Sequence, residues 1–471
     1  MSPSPHGPGG ESFARLRLVG VFTAAVYLFA CLFYVGGAQA RTRTARELAA
    51  WACALPLLFL YWKGYLIVAR SRDARAARTV VVFAALFCLL AFLTVPFHST
   101  DVFGYINRGW QQVHYGLNPY VARLADTPGW REDPMLREHW VYNPNPYGFL
   151  FTLLARALCH LGGGNWWLTL TLFKLVNVAA YAATAWLVWS GARLLGHDRP
   201  ALALYAFLWN PLILMHHIAN GHNDVLVGLL VALSFYLALR GAHVWIIPAL
   251  VAATLLKYGP AILIPPAILF VFNRRGWKTV AAGCLIGLVI AVLASAPYLK
   301  DWGALRIWEI RDNATLIDNS LHSLLIHLFS TTAGVVKPLA QFVPTVDAAI
   351  RVALRGGLVL LFVAVTFRLR KSDSERALVK YSVLLMFALV CVASSKFNAW
   401  YMGMLLAPAL FLPEGHWLRR LIILVSAAEL LSLTFFKQAY MLNYFAMVIV
   451  PAWLVFRRVR RERASALPAP A

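Results

Sequence analysis

The chain has 471 residues, of which 60% are hydrophobic and 13% charged, with a formal net charge of +23. Repeated long apolar stretches exclude a soluble domain and point to a polytopic membrane protein. The surplus cations lie between and beside those stretches, which favours topology signals and contact with anionic lipids over nucleic-acid binding.

In lipid the backbone must satisfy its own hydrogen bonds, and apolar runs this long are helices rather than barrel strands. The expected fold class is therefore an all-α polytopic integral membrane protein. Residues 1–14 read as a cytoplasmic tail, 15–457 as a single membrane domain, and 458–471 as a basic cytoplasmic tail. The first apolar run follows Arg15 and Arg17 and precedes Ala38-Gln39-Ala40, as in a secretory signal peptide. At about 17–20 residues it exceeds an h-region and reads as a signal anchor. Apolar length predicts about 14 spans, at 15–37, 49–69, 79–97, 166–190, 201–218, 222–240, 243–257, 259–273, 279–298, 350–370, 378–395, 399–412, 418–435 and 440–457. With the N-terminus inside, the positive clusters at Arg70/Arg72/Arg75, Arg193/Arg199, Arg274/Arg275/Lys278, Arg368/Arg370/Lys371, Arg419/Arg420 and Arg457–Arg463 all fall on the cytoplasmic side. Residues 147–161 are apolar but short, contain Arg156 and stop at Gly162-Gly163-Gly164, which predicts a helix lying in the interface. The outer face then holds a long loop at 98–165, short turns at 219–223, 257–260 and 396–398, and a second long loop at 299–349. The six cysteines are scattered, without a CxxC pair, and read as small hydrophobes.

Asp101 follows the third span and opens an aromatic, semi-amphipathic stretch with Phe103, Tyr105 and Trp110, suited to a helix along the membrane surface. A carboxylate held there, partly desolvated, can act as a general base at neutral pH; the position equally suits a helix N-cap. Asn220-Gly221-His222-Asn223-Asp224 reads as a tight interhelical turn with an Asn or Asp cap. That leaves His216, His217 and His222, so close together, unexplained. Hydrogen bonding is the stronger reading for them, and a divalent metal on a His–Asp pair the weaker one; no cofactor is required. Lys257 sits at an outer turn as a snorkelling lysine or as a cation facing a phosphate. Lys300, Arg306, Arg311 and Asp312 lie in the second long loop. Lys396 is a second phosphate candidate. Glu429 falls inside an expected span, and no partner can be named for it.

These residues lie in an ordered series of motifs: Asp101-Val102-Phe103-Gly104-Tyr105, Gly116-Leu117-Asn118-Pro119-Tyr120, Asp133-Pro134, Asn145-Pro146-Tyr147-Gly148, Gly221-His222-Asn223-Asp224, Lys257 with Pro260, Asn319-Ser320-Leu321, and Trp400-Tyr401. From about residue 79 to 410 the series resembles the GT-C superfamily of integral membrane glycosyltransferases. It is most similar to the bacterial polyprenyl-phosphomannose-dependent α-mannosyltransferases, including the α-1,6 type. Two positions depart from that pattern: Leu136 and its neighbours replace the usual tryptophan, and Asn398-Ala399 the usual proline. The resemblance implies that Asp101 is the general base. It would deprotonate an acceptor hydroxyl that attacks the anomeric carbon as polyprenyl phosphate leaves, with inversion. Substrate-binding roles are implied for Tyr105, Asn118, Tyr147, His222, Asn223 and Asp224, and for Lys257, His322, Lys396, Trp400 and Tyr401. Arg108 either orients the base or is a solvated arginine, His322 has a surface reading too, and Trp400 and Tyr401 also suit interfacial anchors. The implied partners are a polyprenyl-phosphate sugar, mannose first, and a lipid, glycolipid or polysaccharide acceptor at the outer face of the cytoplasmic membrane. A transporter or flippase of lipid-linked sugars, or an O-antigen ligase or polymerase, is the alternative; polar groups on one face and no visible repeat argue against the transporter, and Asp101 against the ligase.

Overall fold

The computed structural model describes residues 8–35, 42–71, 74–301, 318–433 and 443–465, whose regular secondary structure is helical, with no strand among the described residues. Arg306, Arg311 and Asp312 lie outside them. Helices α1 (Pro8–Val35), α2 (Arg43–Arg70) and α3 (Ala74–Leu93) pack together at the start of the chain. Next come the amphipathic α4 (Asp101–His114), α5 (Phe149–Gly162) and the long α6 (Trp166–Leu194). The segment expected to lie in the interface is α5, stopped by Gly163 at φ +56°.

Among the described residues seven helices are long and apolar enough to cross a membrane, or eight if one bent pair is counted as a span. That pair is α7 (Pro200–Leu208) and the π-helical turn Ile213–Ala219, which meet at 53°. Pro211 cannot donate to the ladder, and the Asn210 side chain accepts from the Leu212 and Ile213 amides instead, so the second half starts as a new helix. Among the described residues the other spans expected from apolar length also fall on helix, but as shorter or broken pieces; residues 434–435 and 440–442 of the last two expected spans lie outside the described residues. The pieces include α8 (Asp224–Leu239), α9 (Ile246–Leu256) and α10 (Ile264–Arg275), the last entered through a 3-10 turn at Gly259–Leu263. Helices α8 and α9 are mostly buried against other helices, so their irregular ends need not be masked from lipid.

Helix α11 (Trp277–Ser295) follows, and the expected loop at 299–349 contains a further helix, α12 (Leu321–Val335). Its N-terminus is capped by Ser320 with a reciprocal bond from Ser323. Helix α13 (Val343–Leu369) begins seven residues before the expected span, because Pro344 fits its first turn. Then come α14 (Glu375–Phe387), α15 (Met402–Ala409), α16 (Trp417–Ala428) and α17 (Val450–Ser465).

Buried polar ties hold the end of the bundle that carries Asp101. The Lys174 ammonium on α6 is buried and donates to the carbonyls of Phe92 and Thr94, closing the C-terminal end of α3. Asp318 pairs with Lys396 in an isolated bridge, and the Ser320 hydroxyl donates to the Ser395 carbonyl, fastening the start of α12 to the 394–401 turn.

Candidate active site

Helix α4 brings Asp101 to the site. Its apolar side, with Val102, Phe103 and Ile106, is buried, and it lies on α5 at closest approach where Gly109 faces the Ala155 carbonyl and the Cys159 sulfur. Three polar residues on α4 fix the loop that returns over it. Asn107 exchanges two hydrogen bonds with the backbone of Arg137, at 2.7 and 3.0 Å. Arg108 donates to the carbonyls of Trp140 and Asn143 and to Gln111. Gln111 donates to Thr127. Arg108 therefore orients the wall of the site and is not a solvated arginine.

The wall presents His139 to the base. Thr100 Oγ1 and His139 Nδ1 are 2.8 Å apart, and the imidazole packs where any side chain on Gly104 would collide with it. His139 Nε2 is then 3.6 Å from Asp101 Oδ1, while His222 Nδ1 is 3.5 Å from Asp101 Oδ2. Both spacings are longer than a hydrogen bond, so the carboxylate is flanked by imidazoles without being tied to them. Burial is the main influence on Asp101 and pushes its carboxyl up to about 6; Lys257 and Lys396 oppose that shift and Asp224 reinforces it. Burial lowers His139 to about 4, so that ring is neutral beside the base.

Lys257 ends α9 in an extended conformation that turns its side chain inward. Its ammonium is 2.6 Å from Asp224 Oδ1 and 4.2 Å from the Tyr401 ring centroid. Burial pulls this ammonium down, but Asp224 and Tyr401 outweigh it and hold the group above its ordinary range. Asp224 is 1% exposed, and its second oxygen has no protein hydrogen bond. Tyr105 donates to Asn223 at 3.3 Å, and Trp400 stacks on His222 with centroids 4.1 Å apart.

These groups border a cavity of about 450 Å3. Of the residues singled out in the sequence, Asp101, Arg108, Tyr147, Lys257, Lys396, Trp400 and Tyr401 line it. His222, Asn223, Asp224 and Tyr105 stand directly behind that lining. Asn118 and His322 are not part of it: Asn118 donates to the Tyr298 carbonyl, and His322 is bonded to Asp347 at 2.8 Å. Glu429 is buried and lines neither this cavity nor its neighbour. Sequence reasoning missed His139, Trp140 and Arg355. The first two lie in irregular backbone whose return path no periodicity reveals, and Arg355 falls within an expected span. A second cavity of about 580 Å3, lined by His98, Thr100, Glu138, Tyr142 and Trp400, also reaches Asp101 and His139. No three His, Cys, Asp or Glu side chains among the described residues are placed to share a metal ion.

The cavity sets one carboxylate among Lys257, Lys396, Arg108 and Arg355, an arrangement suited to an anion whose neighbouring atom undergoes base-assisted attack. Residues 18–273 match the family described as alpha-(1->6)-mannopyranosyltransferase, N-terminal domain. The chain belongs to this family. It is 31% identical over 173 residues to alpha-(1->6)-mannopyranosyltransferase A of Corynebacterium glutamicum, covering 36% of this chain and 34% of that protein. It is 25% identical over 342 residues to the protein of the same name from Mycobacterium tuberculosis, covering 69% of this chain and 63% of that one. The matched regions thus span between a third and just under two-thirds of these relatives' lengths. The family match contains Asp101, His139, His222, Asp224 and Lys257 and stops before Arg355, Lys396 and Trp400.

Proposed function

We propose that this protein is an inverting mannosyltransferase that moves a sugar from a polyprenyl-phosphate donor to a hydroxyl of a glycan or glycolipid. The observation that supports this reading best is a carboxylate with its pKa raised to about 6, in a cavity whose other charged groups are cations. The relatives' names supply the sugar and the α-1,6 linkage.

The donor phosphate takes the main cavity, facing Lys257, Lys396 and Arg355. These cations stabilise the charge that gathers on the leaving phosphate as the anomeric C–O bond breaks. The acceptor enters from the second cavity, and its hydroxyl reaches Asp101 between His139 and His222. Asp101 removes the hydroxyl proton as the oxygen attacks the opposite face of the sugar. Tyr147, Trp400 and Tyr401 supply the aromatic faces against which a sugar ring packs. The cationic clusters at the ends of α10 and α13 mark the cytoplasmic side, so the site opens at the outer face of the plasma membrane.

The test is transfer by purified protein in nanodiscs from radiolabelled polyprenyl-phosphate mannose to a membrane-lipid extract. Asp101→Asn keeps the size of the side chain and removes the base. Its kcat is expected to fall by about 10²–10⁴-fold, with donor KM nearly unchanged. A folded Asp101→Asn protein that transfers at the wild-type rate rules out this mechanism.

A further inference from the structure

Asp101 must lose the acceptor's proton before the next turnover. The main cavity is a poor exit, because Lys257, Lys396, Arg108 and Arg355 line it and repel a proton, and the second cavity, which also reaches Asp101, is filled at that point by the proposed acceptor while the proton is transferred. On the opposite side of the carboxylate lies a line of imidazoles. His222 Nδ1 is 3.5 Å from Asp101 Oδ2. The His222 and His216 ring centroids are 5.7 Å apart, and those of His216 and His98 are 5.5 Å apart. Rings at such centroid spacing do not bond each other directly here, and one bridging water can span a gap of that size. His98 lines the second, more open cavity.

The line is rigidly held. The His222 amide donates to the His216 carbonyl at 3.1 Å, across a turn that needs Gly221 at φ +78°. Asn177 donates to the carbonyls of His217 and His222, at 2.8 and 3.0 Å. The Asn220 side chain accepts from the amides of Phe97 and His98, which fixes the third ring against the first two. Trp400 stacks on His222 and lies 5.7 Å from His216. Yet neither ring nitrogen of His216 or His222 has a protein hydrogen-bond partner. Buried histidines with a purely structural role are normally bonded, as His322 is by Asp347. A neutral imidazole has one donor and one acceptor nitrogen, so it can take a proton on one side and release one on the other.

We propose that His222, His216 and His98 form a proton relay that carries the acceptor's proton from Asp101 to water in the second cavity. The proposal rests on the transferase reading above and adds residues that act through the base. In each turnover the anomeric carbon's bond to the phosphate oxygen breaks, with its electron pair leaving on phosphate, and the bond to the acceptor oxygen forms. The acceptor proton passes to Asp101 Oδ2 and then to His222, and a proton leaves from His98. Each ring then resets its tautomer. The other titratable groups facing the line are His139 on the far side of Asp101, His217 beside His222, and the Asp224–Lys257 pair.

The experiment compares wild type, His98→Gln, His98→Ala, His216→Gln and Asp101→Asn in nanodiscs with polyprenyl-phosphate mannose, from about pH 5.5 to 9 and in deuterated water. Glutamine keeps the polarity and cannot relay a proton. Both His variants are expected to lose roughly 10- to 100-fold in kcat with donor KM within about twofold of wild type, the loss shrinking as pH rises. Their solvent isotope effect is expected to rise, and millimolar imidazole to restore His98→Ala through the open cavity. Wild-type kcat and pH profile in both Gln variants, with Asp101→Asn inactive, overturn the relay alone. A lower kcat with unchanged pH profile, no imidazole rescue and a wild-type melting temperature assigns the rings a packing role and also overturns it. If Asp101→Asn is fully active, the transferase mechanism fails and the relay with it.

Discussion

In the proposed mechanism Asp101 acts in its ionised form, and its carboxyl is raised to about 6 chiefly by burial. Transfer at limiting donor is therefore expected to be flat above neutrality and to fall as pH drops through about 6, approaching tenfold per unit. The sign is fixed because protonation removes the base; initial rates across that window check it. An acid limb centred near 4, the ordinary carboxyl range, would mean that the base is not desolvated in the working enzyme. Asp101 was legible in the sequence because a carboxylate at the edge of an apolar run, in a chain with 20 acidic residues, stands out. Its neighbour His139 was not. That ring arrives through a loop pinned by Asn107 and Arg108, and the one local hint is the bare backbone at Gly104. Asn118 and His322 show the converse: each sits in a recognisable motif, but their bonds to the Tyr298 carbonyl and to Asp347 hold the fold near the site without facing the cavity.

Helix α4 is the element that carries the proposed base. Its amphipathic pattern was readable, and so was its position after the third span. The close approach to α5 was not, because only the packed structure shows what Gly109 faces. A methyl group there would overlap the Ala155 carbonyl and the Cys159 sulfur, and backbone cannot give way as a flexible side chain can. Gly109→Ala is expected to cost about 1–3 kcal/mol, read as a lower melting temperature, and to lower kcat by moving Asp101. An unchanged melting temperature and rate would show that α4 rides on α5 loosely. The broken helices were legible only in part. Apolar length cannot distinguish a straight span from two short pieces, although Asn210-Pro211 marks the bend between α7 and the π-helical turn.

Across the whole molecule, the turns at 220–223, 257–260 and 396–401 converge on Asp101 because each ends a short helix at the same end of the bundle. Arg274 and Arg275 close α10 at its other end. Single cysteines on a cysteine-free background test the orientation this implies. One replacing the exposed Tyr142 is expected to react with a membrane-impermeant maleimide in intact cells, and one at Gly415 only after the membrane is opened. The reverse pattern would place the site inside. The order of the motifs along the chain was legible, whereas their convergence depends on which helices are short. A cycle must also end, and the Lys257–Asp224 pair has a consequence there. In the proposed reaction the departing polyprenyl phosphate is a monoester that gains a second negative charge near neutral pH, whereas the donor diester has only one. A cavity of unopposed cations would grip this product more tightly than the substrate and stall with it bound. By pairing with Lys257, Asp224 takes up part of its attraction and would loosen that grip, so the same carboxylate that makes the lysine a milder clamp would let the spent carrier leave.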